Sequence, residues 1–340
     1  MKTIFIVDDN DTNLMAAKTA LDGTYKTFAL PSAAKMFKLA EKIIPDLILL
    51  DIDMPEMDGF HAMQILKSDV KTKSIPVIFL TAKNDPETEI RGFEIGALDF
   101  VNKPFSPPVL IRRIETHIET DMLIKKSQQA LRDIHNATIS VIAEMVENRD
   151  KVTGTHIERT QAYLKILVKE LIRTNTYIDE ISRWDMALLI PSARLHDVGK
   201  ISISDNVLNK PGKLTAEEYE SIKEHCAEGE RVIDQIIGRT KNDAFLLHAK
   251  LFAGYHHEKW DGTGYPRKLS GTGIPLEGRI MAVADVYDAL ISERPYKKPF
   301  THEQAAAIIQ KDSGTHFDPK IAEAFMNVAG DFWAEAMNAG

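Results

Sequence analysis

Cysteine is almost missing from this sequence: Cys226 is the only one in 340 residues. One thiol cannot build an internal disulfide framework, which points to a reducing, cytoplasmic setting. Long apolar runs are missing too. No stretch of 18 or more apolar residues occurs, so there is no candidate membrane helix. The opening Ile4-Phe5-Ile6-Val7 breaks into Asp8-Asp9, far short of a signal peptide's apolar region. A basic excess is also lacking: 42 Lys and Arg stand against 50 Asp and Glu, a net charge of −8. That gives no cationic footprint for DNA or RNA, so a nucleotide would have to be held by local cations and metal. No internal repeat or low-complexity tract is found. What is present, 44% hydrophobic and 27% charged residues, is ordinary for a soluble globular protein. The length suggests two domains, because single cores stop growing near roughly 250–300 residues.

In the first 120 residues, three apolar runs stand out: Ile4 to Val7, Leu47 to Leu50 and Val77 to Leu80. None alternates with polar residues, so each reads as a strand buried on both faces of a parallel sheet. Helix-like stretches, Thr12 to Leu21 and Ala33 to Ile43, lie between them. Strand alternating with helix predicts a doubly wound α/β domain with its ligand site at the carboxyl ends of the strands. Asp8, Asp9, Asp51, Thr81 and Lys103 stand at those ends, with Phe100 and Val101 on the expected last strand. Converging carboxylates repel unless a cation sits among them, and an all-oxygen set favours magnesium. A carboxylate beside that ion can attack a phosphoryl group, with Thr81 and Lys103 holding the transferred oxygens.

These residues, with Leu49-Leu50-Asp51-Ile52-Asp53-Met54-Pro55, Leu80-Thr81-Ala82 and Asp99-Phe100-Val101-Asn102-Lys103-Pro104-Phe105, closely resemble the receiver domain of two-component response regulators. The resemblance covers residues 1–120 and implies a flavodoxin-like fold. It implies that Asp51 is the phosphoacceptor, that Asp8 and Asp9 hold Mg2+ with a backbone carbonyl of Asp53, and that Thr81 and Lys103 contact the phosphoryl group. Phe100 falls at the family's aromatic switch position, and the Lys103–Pro104 bond is expected to be cis. A cognate sensor histidine kinase is the implied partner.

From Pro108 to Arg149 there is no further proline and no glycine, and apolar residues recur at helical spacing from Val109 and Leu110 to Ile142 and Met145. A long helix is predicted, with residues 121–149 as a helical linker. Its length raises a coiled-coil-like homodimer contact, although the register is irregular around Lys125, Lys126, Gln128 and Gln129. Packing against the chain's own second domain is the equal alternative.

Residues 150–340 carry little strand signal. Met186 to His196, Ala216 to Glu224, Gly229 to Ile237, Phe245 to Tyr255, Gly278 to Ser292 and Glu303 to Gln310 read as helices of an all-α domain. Its candidate ligands are His156, His196, Asp197, His225, His256, His257 and Asp285. Neighbours on a helix point about 100° apart, so His196 and Asp197 do not share a packing role. Two adjacent pairs suit two ions with a shared ligand, and a carboxylate can bridge where an imidazole cannot, which makes Asp197 the natural bridge. Two ions about 3.5–4 Å apart suit in-line phosphoryl displacement. Mixed His and carboxylate ligation favours iron or manganese over magnesium. Cys226 follows His225 directly; with a single thiolate and abundant histidine, a packing role is expected.

The blocks Leu195-His196-Asp197-Val198-Gly199-Lys200, His256-His257 through Gly264-Tyr265-Pro266, Val283-Ala284-Asp285 through Asp288, and Arg294-Pro295-Tyr296 are similar to the HD-GYP family, HD-superfamily phosphohydrolases that degrade cyclic dinucleotides. Glu147 to Asp150 and Phe317-Asp318-Pro319 extend the match. The resemblance implies one ion on His156, His196, Asp197 and Asp285, and another on Asp197, His225, His256 and His257. It implies Asp197 and Lys200 as catalytic residues, with Lys200, Gly264, Tyr265, Pro266, Asp288, Arg294 and Lys297 meeting the substrate. Some members bind a third metal through a glutamate four residues before the first histidine. That position is Val152 here, so two metals and a linear pGpG product are expected from cyclic di-GMP, under control of Asp51 phosphorylation. Hydrolysis of hybrid cyclic GMP-AMP and a catalytically silent cyclic-dinucleotide sensor or interaction module are the alternatives.

Overall fold

The three apolar runs form the centre of a five-stranded parallel sheet in the computed structural model, which describes residues 1–82, 86–150, 155–240, 243–293 and 298–338. The chain divides into two compact units, Met1–Leu131 and Arg132–Gly340. In the first, β1 (Thr3–Val7), α1 (Asp11–Leu21), β2 (Lys26–Leu30), α2 (Ala33–Ala40), β3 (Leu47–Asp51), α3 (Gly59–Ser68), β4 (Val77–Thr81), α4 (Pro86–Glu94) and β5 (Asp99–Asn102) alternate. The sheet order is β2-β1-β3-β4-β5. β3 and β4 are buried throughout, which is why they read as unbroken apolar runs. β2 is an edge strand with only Leu30 buried, and its mixed sequence gave no such run. Asn10, Ser32 and Asp58 cap α1, α2 and α3 through their side chains. The capped helices start just past the strand ends, so the carboxyl edge collects Asp8, Asp51, Thr81 and Lys103.

Helix α5 runs unbroken over Pro107–Glu147. Leu110, Ile114 and Ile118 are buried in the first unit's core. Ile139 belongs to a core cluster of the second unit, and Ala143 and Val146 are buried. The last part of the expected 121–149 linker is therefore part of the second unit. Met122, Leu123, Leu131 and Ile134 are exposed.

The second unit is helical: α6 (His156–Arg173), α7 (Ile178–Ile181), α8 (Met186–Ser192), α9 (Asp205–Leu208), α10 (Ala216–Ile237), α11 (Ala244–Tyr255), α12 (Leu276–Ile291), α13 (His302–Lys311) and α14 (Pro319–Asn338). The expected helices at Ala216 to Glu224 and Gly229 to Ile237 are one helix, α10, capped by a reciprocal Thr215–Glu218 box. Tyr163 of α6, Tyr287 of α12 and Phe325 and Phe332 of α14 form an aromatic core, with Tyr163 stacked on Phe332 at 4.6 Å. A smaller cluster joins Ile139 with Leu195, Val198, Ile233, Phe245 and Ala253. His196, Asp197, His225, His256 and His257 come from or directly follow elements of this cluster, while His156 and Asp285 lie on α6 and α12, which build the larger core. Among the described residues no helix is long and apolar enough to cross a membrane.

Candidate metal centre

All seven candidate ligands converge. His156 opens α6, His225 lies within α10, and His256 and His257 directly follow α11. Asp285 lies in α12. His196 and Asp197 are not on an α-helix as expected; they sit at the break between two 3₁₀ turns, Ala193–Leu195 and Val198–Ser202. Ligand atoms of His156, His196 and Asp285 lie within 4.8 Å of one another, and so do those of His225, His256 and His257.

Asp197 divides between the two groups. Its Oδ2 is 3.3 Å from His196 Nε2, while its Oδ1 is 3.4 Å from His225 Nε2 and 3.7 Å from His256 Nε2. His156 Nε2 lies 3.6 Å from Asp285 Oδ1, and the Nε2 atoms of His225 and His256 are 3.3 Å apart. Two ligands on one ion with bonds of about 2.1 Å stand roughly 3.0–3.6 Å apart. The spacing therefore fits ligands sharing a cation better than direct hydrogen bonds. Asp197 Oδ1 is buried and makes no hydrogen bond, and the same holds for His196 Nε2.

The rings are turned to suit. His156 Nδ1 faces Asp288 Oδ2 at 2.7 Å, His196 Nδ1 the carbonyl of Ala193 at 2.9 Å, and His225 Nδ1 that of Ile222 at 2.6 Å. His256 Nδ1 meets the carbonyl of Phe252 at 2.9 Å. These acceptors assign the proton to each Nδ1 and leave each Nε2 lone pair to the centre.

The two halves differ in charge. Burial opposes charge on His156 and His196, but the carboxylates prevail: Asp288 and Asp285 raise His156, and Asp197 raises His196 to about 9. On the other side burial lowers His225 to about 4, and burial with the His256 and His225 neighbours holds His257 well below its usual range. Burial works against ionised Asp197, yet Lys200 and His196 hold its carboxyl far below the ordinary value. The acidic half thus attracts cations, and the other half offers neutral imidazoles.

Close backbone packing sets these distances. A Cβ on Gly199 would lie 1.9 Å from the His225 carbonyl oxygen and 2.4 Å from Gly229 N. The turn after Asp197 can therefore lie flat on α10 only with glycine there. Arg149 clamps the same turn, donating to the carbonyls of Ile201 and Ile203 at 2.9 Å each. Lys200 Nζ reaches Asp197 Oδ2 at 2.9 Å. Tyr265 lies against His257, ring centroids 4.8 Å apart, and its hydroxyl pKa is raised by burial. Its loop is pinned by buried Glu258, which accepts from Arg267 N at 2.6 Å and Leu269 N at 3.0 Å. A Cβ on Gly264 would be 2.3 Å from Lys259 N.

Asp288 was expected against the substrate. Instead it is 1% exposed and its oxygens engage Arg159, His156 and Ser292, which corrects it to a partner of His156. Arg294, Lys297 and Val152 lie outside the described residues. Arg159, Glu258 and Glu147 are site residues that sequence reasoning gave no role. Arg159 carried a usable signal, three residues after His156 on a helix. Cys226 is fully buried and burial pushes its thiol pKa up, which disfavours the thiolate a metal would need.

In the first unit, carboxylate oxygens of Asp8, Asp9 and Asp51 lie within 4.8 Å of one another. Lys103 Nζ meets Asp8 Oδ2 at 2.6 Å and Asp51 Oδ1 at 2.7 Å. Burial raises the Asp51 pKa, with Lys103 opposing. Thr81 is buried, Asp53 is exposed, and the Lys103–Pro104 bond is cis. Phe100 is buried between Phe93 and Phe79, at 5.0 and 5.5 Å between centroids.

Residues 140–321 match the HD domain family and residues 4–115 the response regulator receiver domain family. A probable cyclic di-GMP phosphodiesterase of Vibrio cholerae serotype O1 is 40% identical over 339 residues, 95% of this chain and 77% of that protein. The cyclic di-GMP phosphodiesterase response regulator RpfG of Xanthomonas campestris pv. campestris is 34% identical over 295 residues, 83% of this chain and 75% of that one. The 3'3'-cGAMP-specific phosphodiesterase 2 of Vibrio cholerae is 37% identical over 204 residues, 60% of this chain and 37% of that protein.

Proposed function

Because the chain belongs to the HD-domain family and carries a response regulator receiver domain ahead of it, we propose that it is a response regulator acting as a metal-dependent phosphodiesterase on cyclic di-GMP. The observation that carries this reading is the divided carboxylate of Asp197, one oxygen toward His196 and the other toward His225 and His256. It supports a binuclear centre with His156, His196 and Asp285 on one side and His225, His256 and His257 on the other. The donor set fits iron or manganese. Bound there, such ions supply Lewis acidity and an activated water.

The chain's own residues do the rest. Lys200 holds its ammonium beside Asp197, where a phosphodiester oxygen would meet it. Tyr265, its ring tilted 32° against that of His257, forms a wall for the dinucleotide. Asp288 and Arg159 keep His156 turned toward the centre. Water's oxygen bonds to phosphorus as the bond to the ribose oxygen breaks, and the leaving oxygen takes up a proton. One such event opens the ring to linear pGpG. Valine at 152 favours stopping there. Cyclic GMP-AMP is a second substrate reading, favoured by the relative specific for 3'3'-cGAMP.

In the receiver, Asp51 takes the phosphoryl group from a histidine-kinase phosphodonor, with Mg2+ among Asp8, Asp9 and Asp51. Thr81, Lys103 and Phe100 respond to it. Exposed Met122, Leu123, Leu131 and Ile134 support a homodimer contact along α5.

Manganese- or iron-loaded protein incubated with each cyclic dinucleotide, its products resolved by chromatography, tests the reading. Turnover of cyclic di-GMP to pGpG is expected. No turnover of any cyclic dinucleotide with either metal, in reduced and oxidised states, would overturn it in favour of a silent sensor.

A further inference from the structure

Glu147 closes α5 and is 3% exposed, yet neither of its carboxylate oxygens makes a hydrogen bond. A buried carboxylate without donors is costly to keep, and such groups are paired or bound to metal. Its polar neighbour is His156 Nε2, 3.5 Å from Oε1. That nitrogen is the one facing the centre, since Nδ1 is committed to Asp288. The separation is long for a hydrogen bond and matches the spacing of two ligands on one ion. Asp285 Oδ1 stands 3.6 Å from the same nitrogen, so His156 Nε2 is flanked by two carboxylate oxygens at ligand spacing.

The geometry points to Glu147 as a further carboxylate ligand on the His156, His196 and Asp285 side of the centre, an inference that rests on the two-metal reading. Position 152, where valine stands, contributes no carboxylate; Glu147 supplies one from the end of α5. With Asp197 shared, this side has five protein ligands and the His225 side four. The two sites then differ: one is carboxylate-rich and nearly filled by protein, and the other keeps more open positions for water and phosphate.

Manganese binding to the full chain, followed by calorimetry and by metal content after desalting, tests this with Glu147→Gln and Glu147→Ala. The wild type is expected to bind two ions. Both variants are expected to bind one ion as before and the other at least about 10-fold more weakly. Metal-free Glu147→Gln should melt no lower than the metal-free wild type, because an unpartnered buried charge has been removed, while its gain in melting temperature on adding manganese shrinks. A merely structural glutamate would give a lower metal-free melting temperature and an unchanged gain. Two ions bound by both variants with unchanged affinity overturn the role of Glu147 and leave the binuclear reading standing. One ion in the wild type overturns the binuclear reading; weakening of that ion by Glu147→Ala would still support the ligand, and no weakening would remove both.

Discussion

Arg159 grips Asp288 by both oxygens, Nε to Oδ1 at 2.6 Å and Nη2 to Oδ2 at 2.8 Å, while His156 Nδ1 meets Oδ2 at 2.7 Å. The pair is buried and lies behind the ring of His156, a candidate ligand. Removing one partner of such a pair leaves the other charge stranded, so Asp288→Ala should cost about 3–5 kcal/mol of stability. It should also weaken metal binding by about 10–100-fold in the absence of substrate. Arg159→Lys keeps the charge and loses the two-pronged grip, so an intermediate loss is expected. Denaturant unfolding and manganese titration measure both. A wild-type metal affinity in Asp288→Ala would show that its contact with His156 is incidental.

Chelation should destabilise the protein reversibly. Ions that bind only the folded state add stability by mass action, about 2.7 kcal/mol per site at a hundredfold excess over Kd. Melting temperature should therefore rise with manganese concentration and fall with chelator. Asp197→Asn, touching both halves of the centre, should lose most of that dependence.

Asp99 offers a pH test away from the candidate metal centre. Burial would raise its pKa, but His117 and Arg113, bound at 3.0 Å and at 2.8 and 2.6 Å, hold it below the usual carboxylate value. A depressed folded-state pKa means the contribution is present above the unfolded pKa, about 3.9. It is lost as pH falls through the lower folded value. Asp99→Asn should melt below the wild type at neutral pH, and the two curves should converge at strongly acid pH. Parallel curves across the whole range would argue against the ion cluster.

Cys226 should be silent to thiol reagents in the native protein, being fully buried with its thiol pKa raised. In denaturant one equivalent should react, since the chain has one cysteine. A colorimetric thiol assay with and without denaturant decides this.

Much of the fold was legible where burial was complete. β1, β3 and β4 announced themselves because both faces are covered, whereas β2 at the edge mixes Lys26 and Thr27 with Phe28 and was silent. α10 was broken in two by reading Gly229 as a start; that glycine lies inside the helix because Gly199 packs against it. α6 carried a helical stripe of Ile157, Thr160, Leu164, Leu167 and Leu171 that was passed over. The pairs His196-Asp197 and His256-His257 stood out by chemistry because such neighbours have few packing uses, whereas the isolated candidates His156, His225 and Asp285 were given their places by the resemblance. Their supports were not legible. Asp285 and Asp288 sit three residues apart on one helix, and only the fold decides that the first faces the centre and the second the back of His156. Glu147 likewise lies nine residues before His156, and no helical spacing links them.

An inventory of metal-binding side chains would pass over Gly199, which offers no donor atom and looks like a spacer between Val198 and Lys200. Yet the His225 carbonyl occupies nearly the space where its Cβ would stand. A natural variant with alanine at this position would keep every ligand, and a catalogue of motifs would score it intact. The turn bearing Asp197 would nonetheless be levered off α10, separating the Asp197 carboxylate from His225. One requirement of this centre is thus written as a missing carbon, and homologues judged active by their ligands alone need that position checked first.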